Sequence, residues 1–172
     1  LVEGEQSEEW LPLFPGRPQS VMNLRFFDNV EWTPQGLWPR ASYFDILMGV
    51  LKLRSEGLDL KAWAYVTGSG PWARMAVMVA FEIVFRHVRL VTQDEVAGQR
   101  ILQDLRRQCF GLDAQVLSHD ELTLQPNNGS LLINTVDLDQ NSSLEQSLLY
   151  LNFIRSPYLL VDRPVPGQWR SP

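Results

Sequence analysis

The spacing of apolar positions changes character along the chain. Residues 1–19 show little periodicity: they are acid-rich, then interrupted by Pro12, Pro15, Gly16 and Pro18, and read as a tail or linker. Residues 20–28 read as a strand and Asp28-Asn29 as a turn. Residues 30–36 read as a short returning strand that Pro34 confines to an edge. Residues 42–56 read as a helix, because Phe44, Leu47, Met48, Val50 and Leu51 recur at helical spacing. Ser42 can cap its start, and Gly57 fits its stop.

Further on, short apolar runs alternate with amphipathic stretches. Residues 63–67, 88–92, 114–117, 131–135 and 158–162 read as buried strands. Residues 71–86 and 96–109 read as helices, the first opened by Pro71 and the second followed by Gly111. Residues 119–124 form a short helical turn, and Asn127-Asn128-Gly129 is a turn signal. Residues 142–154 read as a helix with a capping box, Ser142-x-x-Glu145, ended by Ser156-Pro157. From Arg163 on the chain reads as irregular.

Strands that alternate with helices predict an α/β fold: a doubly wound parallel sheet, Rossmann-like, of about five strands in the order 3-2-1-4-5, with an irregular N-terminal extension. The expected divisions are a tail over 1–19, remnant strands and a connecting helix over 20–57, and a nucleotide-binding domain over 58–172. Ligands on such sheets bind beyond the carboxyl ends of the strands, where the strand order reverses.

The candidate chemistry stands at that edge. Gly68-Ser69-Gly70-Pro71-Trp72-Ala73 reads G-x-G-x-x-A between a strand and a helix. Gly68 suits the tight turn, Gly70 the close approach of a pyrophosphate, and Ala73 close packing of helix on sheet. The helix start adds N–H groups and the positive dipole end. Pro71 removes one N–H, and Trp72 is bulky enough to shade the site. A plain tight turn is the alternative. The second strand ends Thr92-Gln93-Asp94-Glu95. Asp94 can accept from a free ribose 2′-hydroxyl and would repel a 2′-phosphate, which favours NAD over NADP. It equally suits the acidic start of the next helix. Arg74 can reach a phosphate or a loop carbonyl, or stand on the surface. His119 follows the third strand, where a lone histidine is ordinarily not catalytic. His87 and Cys109 read as structural.

Composition narrows the function. Net charge is −5, which argues against nucleic acid or an anionic membrane as partner. One cysteine and two histidines make no metal cage, so no metal is expected. No run is long enough to span a membrane, and the acidic start shows no signal peptide, so a cytoplasmic location is expected. The first residue is Leu1, as expected of a piece of a longer chain. The helix over 75–85 is apolar nearly all round and expects cover on both sides, from its own chain, a homodimer partner or a partner domain.

Taken together, these motifs resemble the shikimate dehydrogenase family over roughly residues 20–166. The family's nucleotide domain often opens "D-L-K-G-K-x-V-L-V-x-G-A-G-G-A-A-R". Here stands Asp59-Leu60-Lys61-Ala62-Trp63-Ala64-Tyr65-Val66-Thr67-Gly68-Ser69-Gly70-Pro71-Trp72-Ala73-Arg74. Ile133-Asn134-Thr135 matches the family's "I-N-x-T" strand, and Asp162 with Pro164 and Pro166 its "D-x-x-Y-x-P", without the tyrosine. Asp45, in Tyr43-Phe44-Asp45, matches the acid of "N-T-D-x-x-G-F" before a helix, without its Asn and Thr. Asn23 stands for the Asn of "G-A-V-N-T".

The resemblance implies an NAD(P)-binding domain with Gly68, Ser69, Gly70, Trp72, Ala73, Arg74, Thr92, Asp94, Asn134 and Thr135 at the cofactor and Asp45 as the catalytic candidate. It implies an oxidoreductase acting on a hydroxyl or carbonyl substrate. The family's catalytic lysine, in "V-T-x-P-x-K", has no counterpart: Lys52 lies in a helix and Lys61 before the first strand. A non-catalytic module, binding another small molecule or serving assembly, is therefore the alternative. Residues 159–166 are also similar to the "I-D-L-A-V-P-R" strand end of glutamyl-tRNA reductase nucleotide domains.

Overall fold

The computed structural model describes residues 7–138 and 142–162. Within them the chain first forms α1 (Ser7–Trp10), a 3-10 turn (Leu11–Leu13) and α2 (Gln19–Leu24). A hairpin of β1 (Asn29–Thr33) and β2 (Gly36–Arg40) follows, then α3 (Ser42–Arg54). The alternating half holds β3 (Trp63–Thr67), α4 (Pro71–Glu82), β4 (His87–Val91), α5 (Glu95–Gln108) and β5 (Asp113–Leu117). It continues through α6 (His119–Leu122), β6 (Gly129–Asn134), α7 (Ser142–Tyr150) and β7 (Ile154–Asp162).

The strand expected over 20–28 is instead helix α2. Val21 and Leu24, three residues apart, put two buried side chains on one helical face, a spacing no strand provides. Arg25 then takes a left-handed conformation (φ 49°) and turns Phe26 and Phe27 into the core, both fully buried. β1 consequently pairs with β2, not with an upstream strand, and Pro34 sits in the turn between them. Residues 7–13 are docked: the Ser7 hydroxyl donates to the Phe27 carbonyl (2.8 Å) and accepts from its N–H (3.1 Å), and Leu11 is buried.

The cap of α3 also differs from expectation. Ala41 occupies the N-cap position, and the buried Asp28 carboxylate accepts from the N–H groups of Ser42 (2.8 Å) and Tyr43 (2.6 Å). A carboxylate at a helix start satisfies orphan donors and complements the dipole, so residue 28 does the work expected of residue 42. α4 ends at Glu82 and α7 at Tyr150, several residues short of expectation, each followed closely by a positive-φ residue, Val84 and Leu151. Ser156-Pro157 lies inside β7, on the edge of the sheet where the missing N–H is tolerated. The Ser142 side chain, Pro164 and Pro166 lie outside the described parts of the structure.

Five parallel strands form the sheet in the order β5-β4-β3-β6-β7, which is 3-2-1-4-5 within the alternating half. The order reverses between β3 and β6. α4 fills one face: every residue from 73 to 80 is buried against β3, β4, α2, α3 and α5. The chain itself therefore covers the apolar helix expected to meet a partner. On the opposite face Tyr65, Leu132, Leu144 and Phe153 form a second core. No helix among the described residues is long and apolar enough to cross a membrane.

Candidate functional site

The loop between β3 and α4 is built by its two glycines in different ways. Gly68 has φ +112°, which L side chains rarely adopt, and donates its N–H to the Val91 carbonyl (2.8 Å). A Cβ there would lie 2.5 Å from Thr135 Oγ1 and 3.0 Å from Val136 Cγ1. Gly68 thus holds three strand ends together. Gly70 is extended (φ −97°, ψ −169°), is the N-cap of α4 with no side-chain cap, and a Cβ there would meet nothing within 4 Å. The start of α4 faces open space, the arrangement that receives an anion. Ala73 is fully buried and lets the helix approach the loop.

Beside this loop lies a cavity of about 210 Å³ lined by Gly68, Ser69, Thr92, Asp94, His119 and Val136. Asp94 is exposed and caps α5, accepting from the Ala97 N–H (2.9 Å) through Oδ1. Thr92 is buried, and its hydroxyl accepts from the Asp94 N–H (3.1 Å). His119 is buried, with Nδ1 3.0 Å from the Ser143 hydroxyl, which also accepts from Gln93 Nε2 (2.9 Å). Burial holds the His119 imidazole below its ordinary pKa of 6.5, with Asp120 opposing.

Asn134 and Thr135 stand at the reversal point, but their side chains are engaged. Asn134 Oδ1 accepts from the Thr67 hydroxyl (2.5 Å) and the Val136 N–H (3.4 Å); Nδ2 donates to the Val136 carbonyl (2.8 Å) and Asp162 Oδ1 (2.7 Å). That uses both donors and both lone pairs of the amide. The Thr135 hydroxyl donates to the Thr67 carbonyl, and its N–H to the Thr67 hydroxyl (3.2 Å). The pair ties β3, β6 and β7 at their carboxyl ends.

Three candidates lie elsewhere. The Trp72 indole packs edge-on to Phe26 (4.7 Å between centroids) and Tyr43 (5.0 Å), so it joins α4 to the N-terminal segments. Arg74 is buried, not on the surface: Nη1 is 3.4 Å from Asp104 Oδ2 and Nη2 3.4 Å from the Asn23 carbonyl. Burial lowers its pKa, Arg25 adds to this, and Asp104 opposes it. Asp45 is exposed and lines a different cavity, of about 610 Å³, with Lys52, Met78, Glu82 and Cys109. That cavity opens beside the C-terminal halves of α4 and α5, whose N-termini face the glycine loop. The structure therefore does not bring Asp45 to the glycine loop, because Tyr43, not Asp45, meets the first turn of α4.

Thr67, Gln93 and Ser143 were not singled out from the sequence. Only their position after or opposite a strand end could have marked them. Cys109 is buried beside Met78, and His87 pairs with Asp113 at 2.8 Å at the amino edge of the sheet.

No protein-family profile matches the chain, and no curated protein matches it by sequence. Solved structures do match in fold. Shikimate dehydrogenase from Mycobacterium tuberculosis superposes with a TM-score of 0.68 at 18% identity, over 94% of this chain and 56% of that one. Shikimate 5-dehydrogenase from Listeria monocytogenes, in complex with shikimate and NAD, gives 0.69 at 13%, over 90% and 55%. Quinate dehydrogenase from Corynebacterium glutamicum, in complex with NAD, gives 0.67 at 9%, over 76% and 46%. The chain has the fold of part of these enzymes and spans about half their length. The resemblance read from the motifs stands at the level of the fold.

Proposed function

We propose that the chain is a nicotinamide dinucleotide-binding domain, with residues 58–172 as its nucleotide-binding unit. The observation that carries this reading is the paired behaviour of Gly68 and Gly70. One is forced by φ and by Thr135; the other is forced by nothing in the folded chain and keeps the helix start open. A site of that form fits a pyrophosphate. Ser69 and Gly70 would hold the phosphates, and Ala73 keeps α4 close. The exposed Asp94 carboxylate would accept from ribose hydroxyls and favours NAD over NADP. Thr92, Asn134 and Thr135 would act as the frame that positions the loop, and Trp72 and Arg74 would brace α4 from behind. A bound nicotinamide ring would supply hydride chemistry, and the two matching enzymes solved in complex with NAD lend the assignment support.

The oxidoreductase reading needs a proton-transfer group for a hydroxyl or carbonyl substrate. Asp45 lies in another cavity, which favours the second reading: a dinucleotide-binding module that does not itself turn over substrate. NADH and NADPH titrations, followed by energy transfer from tryptophan, test the shared core of both. A saturable signal that Gly70→Ala abolishes is the expected result; absence of any saturable signal with either cofactor overturns the proposal.

A further inference from the structure

On the other side of Ser69 and Gly70 lies a second cavity, of about 440 Å³, between α4 and α5. Three guanidinium groups line it, those of Arg25, Arg74 and Arg100, against the carboxylates of Glu8 and Asp104. Asp104 is shared: Arg25 Nη1 is 3.0 Å and Arg74 Nη1 3.4 Å from the same oxygen. Glu8 pairs with Arg25, at 4.0 Å. The Arg74 side chain is 3% exposed, and its Nε is buried without a hydrogen-bond partner. Its two terminal contacts, at 3.4 Å, are longer than the 2.7–2.9 Å usual for charge-assisted bonds. Burying a guanidinium so incompletely satisfied is costly unless an acceptor is supplied. The start of α4, a helix of 12 residues, opens into the same space with its positive dipole end.

We propose that this cavity is a binding site for a phosphate or phosphomonoester dianion, held by Arg25, Arg74 and Arg100 beside the N-terminus of α4. Guanidinium forks match phosphate oxygens bidentately, and three guanidinium groups against two carboxylates leave the cavity a net positive charge that favours an anion. Arg25 comes from the turn after α2, so the site exists only where the N-terminal segment docks on the sheet domain. Ser69 borders both this cavity and the one at Asp94, so a dianion here can belong to a separate small molecule or to the adenosine end of a dinucleotide.

The site is tested with inorganic phosphate alone, by calorimetry and thermal shift on the full chain, against chloride at equal ionic strength. Arg100 is exposed and makes no ion pair among the described residues, so Arg100→Gln leaves the fold intact. It is expected to weaken phosphate binding about tenfold, as for the loss of one charge-assisted hydrogen bond. Arg25→Gln, checked for folding by circular dichroism, should do the same. Phosphate that binds wild type and both variants equally, or that does not bind at all, overturns the proposal. NADH binding at the glycine loop is measured separately; phosphate that displaces NADH occupies the pyrophosphate position at Ser69 and Gly70, and that result overturns a distinct site. If phosphate competes with NADPH but not NADH, the dianion is the 2′-phosphate of a dinucleotide; if it competes with neither, the site serves a second ligand.

Discussion

Gly68 lies so close to Thr135 that a single methyl group would put Cβ 2.5 Å from the threonine hydroxyl oxygen. That oxygen donates to the Thr67 carbonyl, so it cannot swing aside without breaking the tie between β3 and β6. Gly68→Ala combines this clash with a φ of +112°. It is expected to cost on the order of 1–3 kcal/mol from backbone strain, and more from the clash. Urea unfolding measures it; an unchanged midpoint would contradict the geometry.

Gly70→Ala should behave oppositely. Its backbone suits any residue and its Cβ would enter empty space, so the cost should not exceed about 1 kcal/mol, that of alanine in place of glycine at an N-cap. The methyl group would nonetheless stand where a pyrophosphate must approach. The expected pattern is normal unfolding with lost NADH energy transfer. Retained cofactor binding in Gly70→Ala would place the ligand elsewhere.

Asn134→Leu removes an amide whose donors and acceptors are all used. The Thr67 hydroxyl, the Val136 backbone groups and Asp162 each lose a partner. Each buried group left unsatisfied costs about 1–3 kcal/mol. The variant should be destabilised by at least that amount, with faster amide exchange at 134–136. Exchange unchanged in that segment would show that the network does not hold the edge.

His119 sets a pH dependence of stability. Burial lowers its pKa in the folded state below 6.5, so the unfolded chain binds more protons between the folded value and 6.5. Its contribution is therefore complete above pH 6.5 and is lost as the pH falls through that window. Melting temperature measured against pH should decline below 6.5 more steeply in wild type than in His119→Gln. Parallel profiles would remove His119 as the cause.

Trp72→Ala should loosen the N-terminal segment from the sheet domain. The indole is the contact between α4, Phe26 and Tyr43. Because it is half-buried, the cost belongs near the lower end of the roughly 3–5 kcal/mol of buried aromatic truncations. Limited proteolysis is expected to cut within residues 7–28 first; uniform cleavage along the chain would argue against a separable segment.

The sequence by itself determined the alternating half. Strands at 63–67 and 131–135, the glycine loop and α5 are written in local periodicity and turn chemistry, and right-handed crossovers restrict their order. It also marked Gly68 and Ala73, whose roles follow from spacing between a strand and a helix. Tertiary structure decided what depends on contacts distant along the chain. The cap of α3 comes from Asp28, fourteen residues before Ser42, and α2 became a helix because Val21 and Leu24 found a buried face. Asn134 spends its amide on Thr67 and Asp162, and Trp72 turned to Phe26 rather than to the loop. Arg25 and Arg100 lie seventy-five residues apart and line one cavity only because α2 docks against the sheet domain. In the alternating half local pattern specifies which element forms; which of its groups remain free for a ligand is decided by the partners that packing brings, and no window of sequence contains those.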